Sequence, residues 1–388
     1  MASMKRKVWG ACGFALLCAV AHRPVAAAAL SVTSDNARRS TLDLAVDDAA
    51  ADFFRNTCHV GLSLAVVTRE GHFYYDYGST ERGATRLPDK RSIYEIASVT
   101  KTFTGALAAD AIVDDRMALD SDFRAYLPES YSNLTWSGKP ITLRTLVTHR
   151  SGMPRDIPDT DAIYAKKDFD TLPRELLALQ EGFDRDKLLS ALHTVSLRSQ
   201  PGDKEAYSNT GFLVLALGLE KMYGQSFEAL MHQKILQPLG MASTDFVVHQ
   251  ADQSRLVRGY DRKGRLMPYH LRNSGAAWGL YSTAEDMAKY LRWQLDARDP
   301  VIRIQHHPLV GNAQEGVAMA WNLATDGHQP TLFHGGGSFG MSSAALLYPE
   351  RQEGFAMLAN DACEGTESAL KAIAVSIHNH AHQDGAAP

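Results

Sequence analysis

Residues 98 to 101 read Ser98-Val99-Thr100-Lys101. A spacing of three puts the hydroxyl and the amine on one face of a helix, with β-carbons about 5 to 6 Å apart, close enough for the amine to take the serine proton. Apolar residues at Val99, Phe103, Ala106 and Leu107 continue the helical spacing, so the pair stands at the start of an amphipathic helix. The positive end of that helix favours an oxyanion and a neutral lysine. The pattern does not decide by itself, because Ser368-Ala369-Leu370-Lys371 repeats it in a C-terminal helical stretch.

Outward from this helix the periodicity changes. Gly61 to Arg69 is rich in Val and Leu, Glu70-Gly71 reads as a turn, and His72 to Gly78 alternates aromatic and polar residues, which predicts a β-hairpin. Met341 to Tyr348 and Gly354 to Ala359 form a second hairpin around Pro349-Glu350. Between the hairpins, helical runs occupy 183 to 195, 211 to 223, 226 to 236 and 284 to 296. Strands near both ends and helices in the middle predict an α/β (α+β) fold. One antiparallel sheet (29–115 and 270–378) would be flanked by helices, with an all-helical domain (116–269) inserted and a frayed tail at 379–388.

Two further groups carry chemistry. Tyr207-Ser208-Asn209 follows Pro201-Gly202 and precedes an apolar run, Phe212 to Leu219, that must be buried. A phenol beside a serine can relay a proton, and an asparagine amide can fix a substrate carbonyl. Tyr131-Ser132-Asn133 has the same letters but reads as a surface turn. His334-Gly335-Gly336-Gly337 offers backbone that a substrate can approach and an N–H that can hold an oxyanion.

Ser98-x-x-Lys101, Tyr207-x-Asn209 and His334-x-Gly336, in that order, resemble the three motifs of the class C β-lactamase and D-alanyl-D-alanine peptidase family, which also includes esterases. Supporting stretches are Tyr94 to Ala97, Ile141 to Pro154, Pro238 to Met241 and Gly279 to Met287. The resemblance implies a β-lactamase/transpeptidase-like fold with the site between sheet and helical parts. It implies Ser98 as nucleophile, Lys101 and Tyr207 sharing general acid/base work, and Asn209, His334, Gly336 and Gly337 binding substrate. The N–H groups of Ser98 and Gly337 would form the oxyanion hole. It also implies that the first and last strands are antiparallel neighbours, which brings Cys58 and Cys363 within reach of a disulfide. No cofactor or metal is implied, and the substrate is a small molecule or peptide.

One departure bears on specificity. β-Lactamases and many of the peptidases resemble one another in a lysine at the first position of the third motif, where this chain has His334. Histidine is mostly neutral at pH 7, so the grip on a substrate carboxylate weakens. The expected activity is therefore hydrolysis of an ester or amide. A true β-lactamase or D-alanyl-D-alanine carboxypeptidase is the alternative, and a non-catalytic binding module is the alternative of another class.

Rival readings are weaker. Gly336-Gly337-Ser338-Phe339-Gly340 fits the Gly-x-Ser-x-Gly elbow, with Asp361 and His378 downstream, but a strand rather than a helix follows it. The alternating histidines His378, His380 and His382 read as a solvated tail rather than a metal site.

Lys5-Arg6-Lys7, an apolar run from Val8 to Ala21 and Ala26-Ala27-Ala28 read as a secretory signal over residues 1–28, which places the protein outside the cytoplasm, in the periplasm. That run is short of a spanning helix, so no stable membrane insertion is expected. Removal takes away four cations and no acid, moving the net charge of −4 to −8, against a nucleic-acid partner. Cys58 and Cys363 are then the remaining cysteines, and an exported pair suits one disulfide. Oligomeric state is not legible.

Overall fold

The computed structural model describes residues 32–270, 275–327 and 329–383. The signal expected at 1–28 lies outside the described residues. Eight strands form one sheet: β1 (Gly61–Thr68), β2 (Gly71–Gly78), β3 (Val310–Gly311), β4 (Gly316–Val317), β5 (Asn322–Asp326), β6 (Gln329–Gly337), β7 (Ser342–Tyr348) and β8 (Glu353–Ala359). Their spatial order is β2-β1-β8-β7-β6-β5-β4-β3, antiparallel throughout.

Helix α1 (Thr41–Phe53) and the C-terminal α5 (Thr366–Gln383) pack together against β7, while α4 (Ala284–Gln294) packs on β1 and β8. Both faces of the central strands are thus covered, which is why every residue of β7 is buried and its sequence shows no polar alternation. Helix α2 (Thr100–Val113), expected to be amphipathic, is instead buried nearly all round. It is packed by the helices Pro300–His306 and Gly275–Trp278 and by helix α3 (Asn209–Tyr223), so its polar residues Thr100, Thr102 and Thr104 are buried with the apolar ones. No strand of the large sheet comes from 116–269. Even so, Phe103 and Leu107 of α2, Phe212 and Leu215 of α3 and Leu358 of β8 belong to one apolar cluster. Residues 32 onward accordingly form one compact unit.

One local expectation is corrected. The tail does not begin at 379, because α5 runs to Gln383. His378 is buried, stacks on Tyr348 at 3.7 Å and bonds Glu353 at 2.7 Å, and His382 bonds the same carboxylate at 2.7 Å. Contact with β8 extends the helix that the hydrophilic sequence appeared to end. Tyr131-Ser132-Asn133 makes a turn with Ser132 exposed, and its two flanking side chains anchor it. Tyr131 is buried and donates to the Leu189 carbonyl, and the Asn133 amide donates to the Leu192 and Val195 carbonyls.

The register Leu62↔Ala359 through Val67↔Gly354 sets the start of β1 against the end of β8. Just beyond those ends Cys58 and Cys363 are joined as a disulfide, Cα–Cα 6.2 Å. The bond links residues 305 apart in sequence, for which the chain-entropy argument gives about 6 kcal/mol as an upper bound. We expect reductant to lower the melting temperature by roughly 5 to 10 °C while ester turnover at 25 °C is unchanged. Equal melts with and without reductant would refute this role.

Candidate active site

The nucleophile turn is built by strain and close packing. Ser98 sits in a single 3-10 turn, Ala97–Val99, leading into α2, and Ala97 has φ +44°, a left-handed conformation that costs an alanine on the order of 1 kcal/mol. Strand β6 runs beside it. A side chain at Gly336 would place its Cβ 2.5 Å from the Ile96 carbonyl oxygen and 3.0 Å from Ser98 N, so only glycine lets the strand approach.

Around Ser98 Oγ the side chains converge. Tyr207 Oη donates to it at 2.7 Å, and Lys101 Nζ lies 3.1 Å away. Lys101 is fully buried and also donates to the Ala277 carbonyl at 2.7 Å, with no carboxylate in ion-pair contact among the described residues. Burial holds its pKa well below the ordinary value, with the Arg155 charge adding to that and the Asp156 charge opposing it. Burial likewise pushes Tyr207 up to about 12, so the phenol keeps its proton.

Tyr207 is positioned by residues that carried no assigned role in the sequence. The His149 ring lies 4.3 Å from its ring, His149 Nδ1 accepts from Ser208 N, and the His149 carbonyl accepts from Ala206 N. Ser208 Oγ donates to the Pro154 carbonyl and caps α3 through Gly211 N. The stretch Ile141 to Pro154 therefore holds the Tyr207–Asn209 turn, which gives its resemblance a physical reason.

Asn209 Nδ2 donates to Asp156 Oδ1 at 2.7 Å. Since a carboxylate only accepts, this fixes the amide orientation and leaves Asn209 Oδ1 buried and without a partner among the described residues. His334 is buried, and its Nδ1 lies 2.7 Å from the Gly335 carbonyl, which makes Nδ1 the protonated nitrogen. Burial, then the nearby Lys101 charge, push His334 down to about 4, so it is neutral at pH 7. Ser98, Tyr207, Asn209, His334, Gly335 and Gly337 line one cleft of about 470 Å³, joined by Arg155, Trp278 and Glu367.

The decoys separate from it. Ser338 lies between β6 and β7 with its hydroxyl donated to Glu95 at 2.6 Å, and no helix follows, so the elbow reading fails. Lys371 stands over the Phe333 ring at 4.8 Å, away from Ser98. Arg155 and Glu367 were missed by sequence reasoning, because nothing in their spacing marks them.

The sheet, with helices on both faces, carries a Ser–Lys–Tyr cluster where α2 begins, with Lys101 buried and Ser98 and Tyr207 half-buried. The chain belongs to the Beta-lactamase family, which matches residues 46–378. It is similar to "D-alanyl-D-alanine-carboxypeptidase/endopeptidase AmpH" of Escherichia coli K12, 29% identical over 252 residues, covering 65% of this chain and 62% of that protein. "Protein flp" of Staphylococcus aureus N315 is 25% identical over 338 residues, covering 83% of this chain and 64% of its own length. The chain thus spans less than two thirds of these relatives. In fold it resembles the "Beta-Lactamase/D-Alanine Carboxypeptidase" of Pseudomonas syringae, TM-score 0.73 at 19% identity, covering 90% of this chain and all of that one.

Proposed function

We propose that this is an exported serine hydrolase that cleaves an ester or amide bond of a small-molecule or peptide substrate through an acyl-enzyme on Ser98. The observation that carries the reading is the pair of contacts on Ser98 Oγ, a buried amine at 3.1 Å and a phenol at 2.7 Å. Neutral Lys101 takes the hydroxyl proton as Oγ adds to the carbonyl carbon. The backbone N–H groups of Ser98 and Gly337 stabilise the oxyanion. The bond to the leaving alcohol or amine then breaks, and the leaving atom receives a proton through Tyr207, which is replenished from Lys101. Water repeats the sequence on the acyl-enzyme and releases the acid. Asn209, its amide nitrogen held by Asp156, keeps a fixed orientation in the wall of the cleft.

The test is turnover of a chromogenic ester by purified protein. Many turnovers per molecule support the enzyme, whereas a single burst without turnover leaves a binding module. The name of the E. coli relative favours D-alanyl peptides as a second reading, and a panel of ester, D-alanyl-D-alanine peptide and penicillin decides between them. Export is tested by the mass of the protein from the periplasmic fraction, expected to lack residues 1–28.

His334 provides a specificity test. His334→Lys restores a fixed cation beside the cleft, and a charged hydrogen bond of about 1.5 kcal/mol corresponds to roughly tenfold. We expect kcat/KM on penicillins or D-alanyl peptides to rise about tenfold relative to an uncharged ester. An unchanged ratio would mean that the carboxylate is read elsewhere.

A further inference from the structure

Glu367 stands in the first turn of α5 and reaches over β6 beside the nucleophile. On a strand, alternate residues share a face, and Gly335 and Gly337 share the one opposite to Gly336. Both leave that face bare. A side chain at Gly335 would set its Cβ 2.6 Å from Glu367 Oε2, and one at Gly337 would set its Cβ 2.7 Å from Oε1. The glutamate carboxylate therefore occupies the room that two missing side chains leave, at the rim of the cleft that holds Ser98, Tyr207 and His334.

No hydrogen bond or ion pair engages that carboxylate among the described residues. The nearest candidate partner in sequence, Lys371, one turn further along α5, has its ammonium over the Phe333 ring instead. Across the cleft, Arg155 lies 3.7 Å from Asp156 and over the Tyr164 and Tyr207 rings. His334, on the strand between them, carries no charge at neutral pH. At the β6 edge the cleft thus shows one negative group that no cation contacts among the described residues.

We propose that Glu367 forms an acidic subsite at the β6 edge that binds a positively charged group, an ammonium or guanidinium, carried by the substrate close to its scissile carbonyl, and that it rejects a carboxylate there. This rests on the hydrolase reading above and names the substrate class for that site. The Glu367 carboxylate accepts hydrogen bonds from the substrate cation, and the bare backbone of Gly335 to Gly337 lets the substrate lie close enough to reach it. Glu367 stays exposed to solvent as a residue, and partial desolvation where it lies against the strand raises its pKa, which a bound cation would bring back down.

The experiment compares matched esters that carry an ammonium, a methyl or a carboxylate at the same position, in one series on the acyl side and in another on the alcohol side. Hydrolysis is followed by proton release for the wild type, Glu367→Gln and Glu367→Lys. Labelling of each protein by an uncharged fluorophosphonate reports separately on Ser98. The wild type should favour the ammonium ester over the methyl ester about tenfold or more in one of the two series. That preference should vanish in Glu367→Gln and turn toward the carboxylate in Glu367→Lys, with labelling rates alike in all three. Equal labelling with the same substrate ratios in all three proteins overturns the subsite and leaves the hydrolase reading intact. A wild type that neither labels nor turns over any ester overturns both.

Discussion

Ser98→Ala should lose catalysis by a factor on the order of 10⁴ or more, together with all covalent labelling by a fluorophosphonate or a slowly hydrolysed penicillin. The hydroxyl makes the bond to the acyl group, and no second nucleophile faces the same pair of proton carriers. Lys101 and Tyr207 both meet at Ser98 Oγ, whereas Ser338 is bonded to Glu95. The substitution removes one oxygen from a site whose walls are already packed, so the fold should survive and the melting temperature should barely move. Ser338→Ala serves as the control and should keep labelling. Hydrolysis retained in Ser98→Ala but lost in Ser338→Ala would reverse the assignment.

The second large effect concerns the proton carriers. Lys101→Met and Tyr207→Phe should each lower kcat by roughly 10²- to 10⁴-fold with KM far less affected, since both groups act on protons during bond formation and cleavage. In the proposed role as base, Lys101 is helped by desolvation, which disfavours its charged form, with the Arg155 charge adding to it. The sign of the pH dependence follows. The neutral amine is the active form and its pKa is depressed, so kcat/KM should fall as pH drops through that depressed value and stay high above it. Tyr207, pushed up to about 12, remains a donor across the same range and should add no alkaline limb near pH 9. A Tyr207→Phe variant with wild-type kcat on both an ester and an amide would remove the phenol from the mechanism. A flat profile on the acid side would remove Lys101 as the base. Tyr131→Phe, whose phenol bonds the Leu189 carbonyl, should leave the rate alone.

Much of this protein is determined by local pattern. The two hairpins, the helix after Ser98 and the order of the three motifs are properties of neighbouring residues, because turn residues and side-chain periodicity act within a few positions. What the pattern could not supply is anything that depends on two distant segments meeting. The burial of α2 on nearly all sides hides its face from any periodicity, since the residues that cover it come from 209 to 223, 275 to 278 and 300 to 306. His149 bracing Tyr207, Asp156 turning the Asn209 amide and the Ala277 carbonyl receiving Lys101 join residues 53 to 176 positions apart. Glu367 is the plainest case. In sequence it is one acid before a decoy serine, and only the packing of the last helix across β6 lays its carboxylate over Gly335 and Gly337. Charge and hydrogen bonding act through space over a few ångströms, so the catalytic residue types are written in the chain, while their protonation states and the sign of the cleft are decided by the fold that encloses them.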